Sequence, residues 1–326
     1  MRAIVFDAPG TPEALYLGDA PDPIAGPGEV LVRVRATALN RADLLQRQGK
    51  YPPPPGASPL LGLEMAGEVV SLGPNVEGVE IGRRVCALLT GGGYAEYVAV
   101  PTALLLPLPA SMSFEEAAAI PEVFLTAYQA LFLLGGLDAG EHVLVHAGAS
   151  GVGTAVIQLA CRAGAAVHVT ASQSKHDLCR ALGAVTTIDY RVEAFEARVW
   201  EATGGHGADV ILDFIGAPYL ASNVKALAVD GRIVVLATMG GTIAEHFDLR
   251  ALFIRRGTLA TSMLRNRSLA YKADLTARFR DDAWADFAIG RLHAVIDSVM
   301  DWADATEAHR RMEANDNAGK IVLRVT

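Results

Sequence analysis

The chain has 326 residues, 51% hydrophobic and 20% charged, with a formal net charge of −8. That length favours two domains over one core. An acidic chain without a Lys/Arg run makes nucleic acid and an anionic membrane poor partners. No apolar run reaches the ~18 residues of a membrane span, and Met1–Phe6 meets Asp7 without the apolar core of a signal peptide. The three cysteines, Cys86, Cys161 and Cys179, are scattered with no C-x-x-C spacing. This fits a reducing compartment, so a cytoplasmic location is expected, and it supports neither a disulfide framework nor a zinc site.

Residues 1–110 read as β-rich. Ala3–Phe6 is a short strand, and Glu29–Ala36 carries Val30, Val32 and Val34 on one face at period two. Glu64–Leu72, Val85–Leu89 and Tyr94–Val100 are further short strands, punctuated by glycine and proline, as in a barrel-like β domain. Tyr51 is followed by Pro52-Pro53-Pro54-Pro55-Gly56, a run that lacks backbone donors and makes a stiff extended loop.

The texture changes at Ser113-Phe114-Glu115-Glu116, whose S-x-x-E form starts a helix, and Pro121 interrupts that helix. From His142 onward strands and helices alternate. The expected strands are Val143–His146, Ala166–Thr170, Thr186–Ile188, Val210–Asp213, Ile233–Ala237 and Leu259–Thr261. Such alternation implies a parallel sheet covered on both faces, the Rossmann arrangement. Within it, Val143-Leu144-Val145 runs into Gly148-Ala149-Ser150-Gly151-Val152-Gly153, with serine where G-x-G-x-x-G has its second glycine. The order strand, glycine turn, helix binds the pyrophosphate of a dinucleotide on the helix N-terminus. After Arg265 the alternation stops. Leu269–Gly290 is helical, Val295-Ile296 a short strand, Asp301–Glu313 a helix and Lys320–Val325 a last strand that could return to the first domain.

Several of these segments together resemble a known family. They are Ala38–Tyr51, Gly62-Leu63-Glu64, Gly91–Tyr97, His146–Gly153, Ile211–Gly216, Met312–Asn315 and Gly319-Lys320. The chain is similar to zinc-independent medium-chain dehydrogenases/reductases of the quinone oxidoreductase (zeta-crystallin-like) type, and most similar to the p53-inducible quinone oxidoreductase group. The resemblance implies an α/β fold: a GroES-like β-barrel domain over residues 1–121 and 266–326, and a Rossmann domain, a doubly wound parallel sheet, over 122–265. It also implies NADPH, no metal, and reduction of quinones. Zinc-dependent relatives carry cysteine and histidine where this chain has Asn40–Asp43 and Leu63, so Glu64 lacks the companions a catalytic zinc needs. A structural carboxylate is expected there instead.

The second Rossmann strand is followed by Thr170-Ala171-Ser172-Gln173-Ser174-Lys175, with no acid before Asp177. An acid at this point would bind the ribose 2′-OH of NAD. Hydroxyls and a lysine suit a 2′-phosphate, so NADPH is expected, with Ser172 and Lys175 at the phosphate. By resemblance Tyr190 lies beside the same phosphate. The backbone of Gly148, Ser150, Gly151, Val152 and Gly153 meets the pyrophosphate. Gly216 permits close approach of the nicotinamide ribose. By the same resemblance Asn40, Thr126, Met239, Leu264 and Asn315 stand near the nicotinamide, Asn315 replacing a frequent arginine. His146 reads as a hydrogen-bonded structural histidine rather than a base.

No Ser-His-Asp set or carboxylate pair emerges, which fits hydride transfer, where the cofactor carries the reaction and the protein orients the rings. Tyr51 is the leading candidate for donating to the oxygen on which charge builds, with Asn40 and Ser150 as orienting groups. The substrate is expected to be a small quinone or enone. The alternatives are an NADPH-dependent enone or enoyl-thioester reductase, or a crystallin-like NADPH-binding protein with little turnover. Thr258–Met263 should form the last Rossmann strand, an edge that relatives use to build a homodimer.

Overall fold

The computed structural model describes residues 1–245 and 247–326. The chain divides into two compact units, Met1–Leu125 with Leu264–Thr326, and Thr126–Met263.

The first unit contains β1 (Arg2–Val5), β2 (Tyr16–Asp19), β3 (Glu29–Ala38), β4 (Glu64–Leu72), β5 (Arg84–Leu88), β6 (Tyr97–Pro101) and β7 (Leu105–Pro107). β1 and β2 form an antiparallel ribbon. Val30, Val32 and Val34 of β3 are buried, as their period-two spacing requires. The capping box is in place: Ser113 Oγ accepts the Glu116 N–H at 3.1 Å, and the Glu116 carboxylate accepts the Ser113 N–H at 2.8 Å. The helix it starts covers Phe114–Ala118, and a second helix begins at Pro121, where the missing N–H costs nothing.

The second unit is a parallel sheet of β8 (His142–Val145), β9 (Ala166–Ala171), β10 (Thr186–Asp189), β11 (Ala208–Asp213), β12 (Leu227–Val235) and β13 (Thr258–Thr261). Its spatial order is β10-β9-β8-β11-β12-β13, the Rossmann order. Five of the six expected strands fall within about two residues of the observed ones. β12 begins six residues before the expected Ile233, because its early part contains Asp230-Gly231, a turn signal, with Asp230 at φ 63°.

The tail returns to the first unit. β14 (Ile296–Asp301) pairs in parallel with β15 (Lys320–Arg324), and β15 pairs antiparallel with β3. The resulting seven-stranded sheet runs β14-β15-β3-β4-β5-β7, with β6 also on β3. The register sets Val322 against Ala38 and Met65 against Thr37. Continued by two residues and by one, it places Lys320 opposite Asn40 and Glu64 opposite Ala38. No described helix is long and apolar enough to cross a membrane.

Candidate functional site

At the C-terminal ends of the second unit's strands, the glycine turn joins β8 to the helix Gly151–Arg162. Ser150 is the N-cap of that helix, its side chain accepting the Gly153 N–H at 3.1 Å. The serine in place of the second motif glycine thus has a helix-capping use. The two outer glycines are required by packing. A Cβ on Gly148 would lie 2.7 Å from the Val169 Cβ, and one on Gly153 2.4 Å from the Ala147 carbonyl oxygen. Ala147 turns the chain in the left-handed region at φ 50°.

Ser172 follows β9 and opens a short 3-10 turn, Gln173–Lys175, so Lys175 precedes the helix His176–Ala181 rather than standing in its first turn. The β10–β9 register pairs Asp189 with Ala171, which brings Tyr190 level with Ser172. Tyr190 is exposed, and the Arg191 guanidinium lies 5.7 Å from its ring centroid. Arg191 is a second cation at this strand end; it had no signal beyond its position next to Tyr190.

A polar chain crosses the same end of the sheet. His146 is fully buried, and burial holds its imidazole down at about 4, hence neutral. Its Nε2 donates to Asn223 Oδ1 at 2.7 Å and its Nδ1 meets Thr170 Oγ1 at 3.0 Å. Asn223 Nδ2 in turn donates to Asp213 Oδ2 at 3.0 Å, while Asp213 Oδ1 accepts the N–H groups of Ile215 and Gly216. The histidine is structural, as read. Gly216 sits at φ 84°, where a Cβ would lie 2.8 Å from the Gly241 carbonyl oxygen. Its glycine requirement therefore arises first from the protein's own backbone. Met239 is exposed and its N–H bonds the Phe214 carbonyl.

The first unit gathers a buried charged cluster. Lys320 Nζ donates to Glu64 Oε1 at 2.8 Å, Asn40 Oδ1 at 2.7 Å and the Leu39 carbonyl at 2.6 Å. Asn40 Nδ2 donates to Glu64 Oε1 at 2.9 Å and the Ala38 carbonyl at 3.2 Å. The Glu122 backbone N–H completes the set on Glu64 Oε2. Asn40 thus has its oxygen and its amide nitrogen committed inside the protein, and Glu64 acts as a paired structural carboxylate. Beside them Asp43 accepts the N–H groups of Asn40 and Gly62, and burial lifts its carboxyl to about 6. Burial, then the neighbouring Glu64, lifts Glu122 to about 8.

Tyr51 is half-buried. Arg265 lies over it, the guanidinium 5.3 Å from the ring centroid and Nη1 3.4 Å from the Tyr51 carbonyl oxygen. Burial, followed by Glu122, raises its hydroxyl above the ordinary tyrosine value, so it stays a donor. Arg265 itself is anchored on Gln46 Oε1 and the Thr90 carbonyl. Leu264 is buried, Thr126 partly buried, and Asn315, at φ 59°, accepts from Arg41 Nη2 at 2.6 Å.

Comparison with known proteins fits this geometry. Residues 151–279 match the zinc-binding dehydrogenase family and residues 26–110 the alcohol dehydrogenase GroES-like domain. A synaptic vesicle membrane protein VAT-1 homolog from Rattus norvegicus is 34% identical over 99% of this chain and 84% of its own. The chain belongs to the medium-chain dehydrogenase/reductase family. Among solved structures, an NAD-dependent alcohol dehydrogenase superposes with TM-score 0.89 at 36% identity, covering 100% of both chains. A mycobacterial quinone oxidoreductase gives 0.86 at 30%, again over 100% of both. A mycobacterial protein complexed with NADPH gives 0.89 at 29%, also over 100% of both. The fold is thus a GroES-like domain with a Rossmann sheet, and the activity class is an oxidoreductase. The tight glycine turn, the helix N-terminus it leads into and the polar strand ends fit a nicotinamide dinucleotide.

Proposed function

We propose that this protein is an NADPH-dependent quinone oxidoreductase that works without a metal and is closest to the p53-inducible group. The observation that carries the cofactor choice is the end of β9. The segment that follows β9 has no acid before Asp177, and Ser172, Lys175, Tyr190 and Arg191 follow the paired ends of β9 and β10, where Asp189 lies beside Ala171. In this reading the backbone of Gly148, Ser150, Gly151, Val152 and Gly153 takes the pyrophosphate. Ser172, Lys175 and Tyr190 take the 2′-phosphate. Gly216, Met239, Thr126, Leu264, Asn40 and Asn315 frame the nicotinamide half, with Asn40 acting through its shape because its amide and its backbone N–H are already bonded. Metal independence is supported by Glu64, whose oxygens are held by Lys320, Asn40 and the Glu122 N–H, and by the lack of any group of three metal-ligating side chains among the described residues. The domains proposed are 1–121 with 266–326 for substrate and 122–265 for cofactor, in a cytoplasmic protein. Oxidation of NADPH by menadione is the direct assay.

When bound, NADPH supplies the hydride. The chain's own contribution is placement and one hydrogen bond. Tyr51 donates to the substrate oxygen on which charge gathers, and Arg265 keeps the ring in place. Tyr51→Phe then removes a hydrogen bond worth roughly 0.5–1.5 kcal/mol. Steady-state kinetics should show kcat and kcat/KM both falling about two- to tenfold. A silent Tyr51→Phe beside a damaging Tyr51→Ala would make the ring a wall and nothing more.

The same reading includes a homodimer. β13 is the last strand of its sheet, Leu259 on it is exposed, and Phe253 and Ile254 on the preceding helix are exposed too. An uncovered apolar edge invites strand pairing, and a two-fold contact would cover it. Light scattering at micromolar concentration should give twice the 34.3 kDa chain mass. Leu259→Lys should shift the population towards monomer. A monomeric mass for the unmodified protein would contradict this.

A further inference from the structure

An open cavity of about 540 Å³ lies within the first unit. Its wall is mixed. Leu60, Leu88 and Leu104 give it an apolar side, and Arg265, Arg267 and Lys272 a cationic one; Glu29, whose carboxylate accepts the Gly26 N–H, is an acid in the same wall. Two of these cations are unusual in their burial: Arg265 is 5% exposed and Lys272 4% exposed. Buried charges are ordinarily paired with an opposite charge, because desolvation is costly.

Among the described residues neither has an ion-pair partner within 4.0 Å. The described groups to which they donate hydrogen bonds are all neutral. Arg265 donates to Gln46 Oε1 and to the carbonyls of Thr90 and Tyr51. Lys272 Nζ donates to Thr90 Oγ1 at 2.9 Å and to the Arg265 carbonyl at 2.6 Å. An ammonium has three donors and a guanidinium five, so one N–H of Lys272 and two of Arg265 remain to be used. Asp43 and Glu122 act on the pair only at longer range. Arg267, exposed and stacked on Tyr271 at 4.6 Å, adds a third positive charge at the rim.

We propose that this cavity is a binding site for an organic anion, its carboxylate or phosphate received by Lys272 and Arg265 and its apolar body by the leucine wall. The ligand's own charge would serve as the counter-ion of the two cations. Arg265 also holds Tyr51. If Tyr51 meets the reacting oxygen, as proposed above, a quinone or enone that carries an acid group is bound more tightly than a neutral one such as menadione; this last step rests on that reading, while the anion site itself does not.

The test is therefore a binding measurement without turnover. 2-Naphthoate and its neutral isostere 2-naphthamide are titrated calorimetrically into the full chain without nucleotide. The acid should bind at least about tenfold more tightly, the gain of one charge-assisted contact. Inorganic phosphate alone, lacking the apolar body, should displace it only at far higher concentration. Lys272→Met should erase the preference for the acid, and Arg267→Gln, at an exposed position that leaves the fold intact, should reduce it. Equal binding of acid and amide, or a preference that survives both substitutions, overturns the proposal. Failure of the protein to reduce quinones would instead count against the oxidoreductase reading and leave this binding result standing.

Discussion

Lys320→Met should destabilise the first unit by about 3–5 kcal/mol, the typical effect of stripping one partner from a buried ion pair. Lys320 and Glu64 are both buried, and their 2.8 Å contact joins β15 to β4 through Asn40. Methionine fills the same volume but leaves the Glu64 carboxylate with only the Asn40 amide and the Glu122 N–H. A typical domain has ~5–15 kcal/mol of stability in total, so urea unfolding should show a large fall in midpoint. Adding Glu64→Gln should recover part of the loss, because the second substitution removes the stranded charge. A double variant as unstable as the sum of the two singles would mean that the pair is not coupled.

Lys175→Glu should weaken NADPH by about ten- to a hundredfold from the lost charge-assisted contact alone. Repulsion between the new carboxylate and the 2′-phosphate adds to that loss. NADH has no phosphate at this position and should change little. The strand-end geometry supports a selective effect, since Lys175 follows the Ser172 turn and Tyr190 with Arg191 stands level with it. Fluorescence titration of both nucleotides decides the matter. Equal shifts in the two dissociation constants would remove Lys175 from the phosphate site.

The Rossmann half was legible because its strands are buried on both faces and so appear as short apolar runs, such as Val143-Leu144-Val145, all fully buried. β14 was harder to see. Val295-Ile296 marks only its start, and Asp297, Ser298 and Asp301 disguise the rest, Asp297 being paired with Arg311. The strands Tyr16–Asp19 and Leu105–Pro107 escaped notice because they are only four and three residues long. The glycine turn, the absent acid and Tyr51 could be read locally. Lys320, Arg265 and Lys272 could not. Lys320 meets the Leu39 carbonyl across 281 residues of sequence, and only the pairing of β15 with β3 makes that neighbour visible. A lone lysine at the head of an apolar strand, or an arginine and lysine seven apart, reads as an ordinary solvated charge until burial is known.

The central claim is most directly tested by kcat/KM for menadione and for a simple α,β-unsaturated ketone, each with NADPH and with NADH. The account predicts turnover of the quinone, with NADPH favoured over NADH by about tenfold or more, the worth of one charge-assisted phosphate contact. Preference for NADH, reduction of the enone alone, or no turnover of any quinone would contradict it.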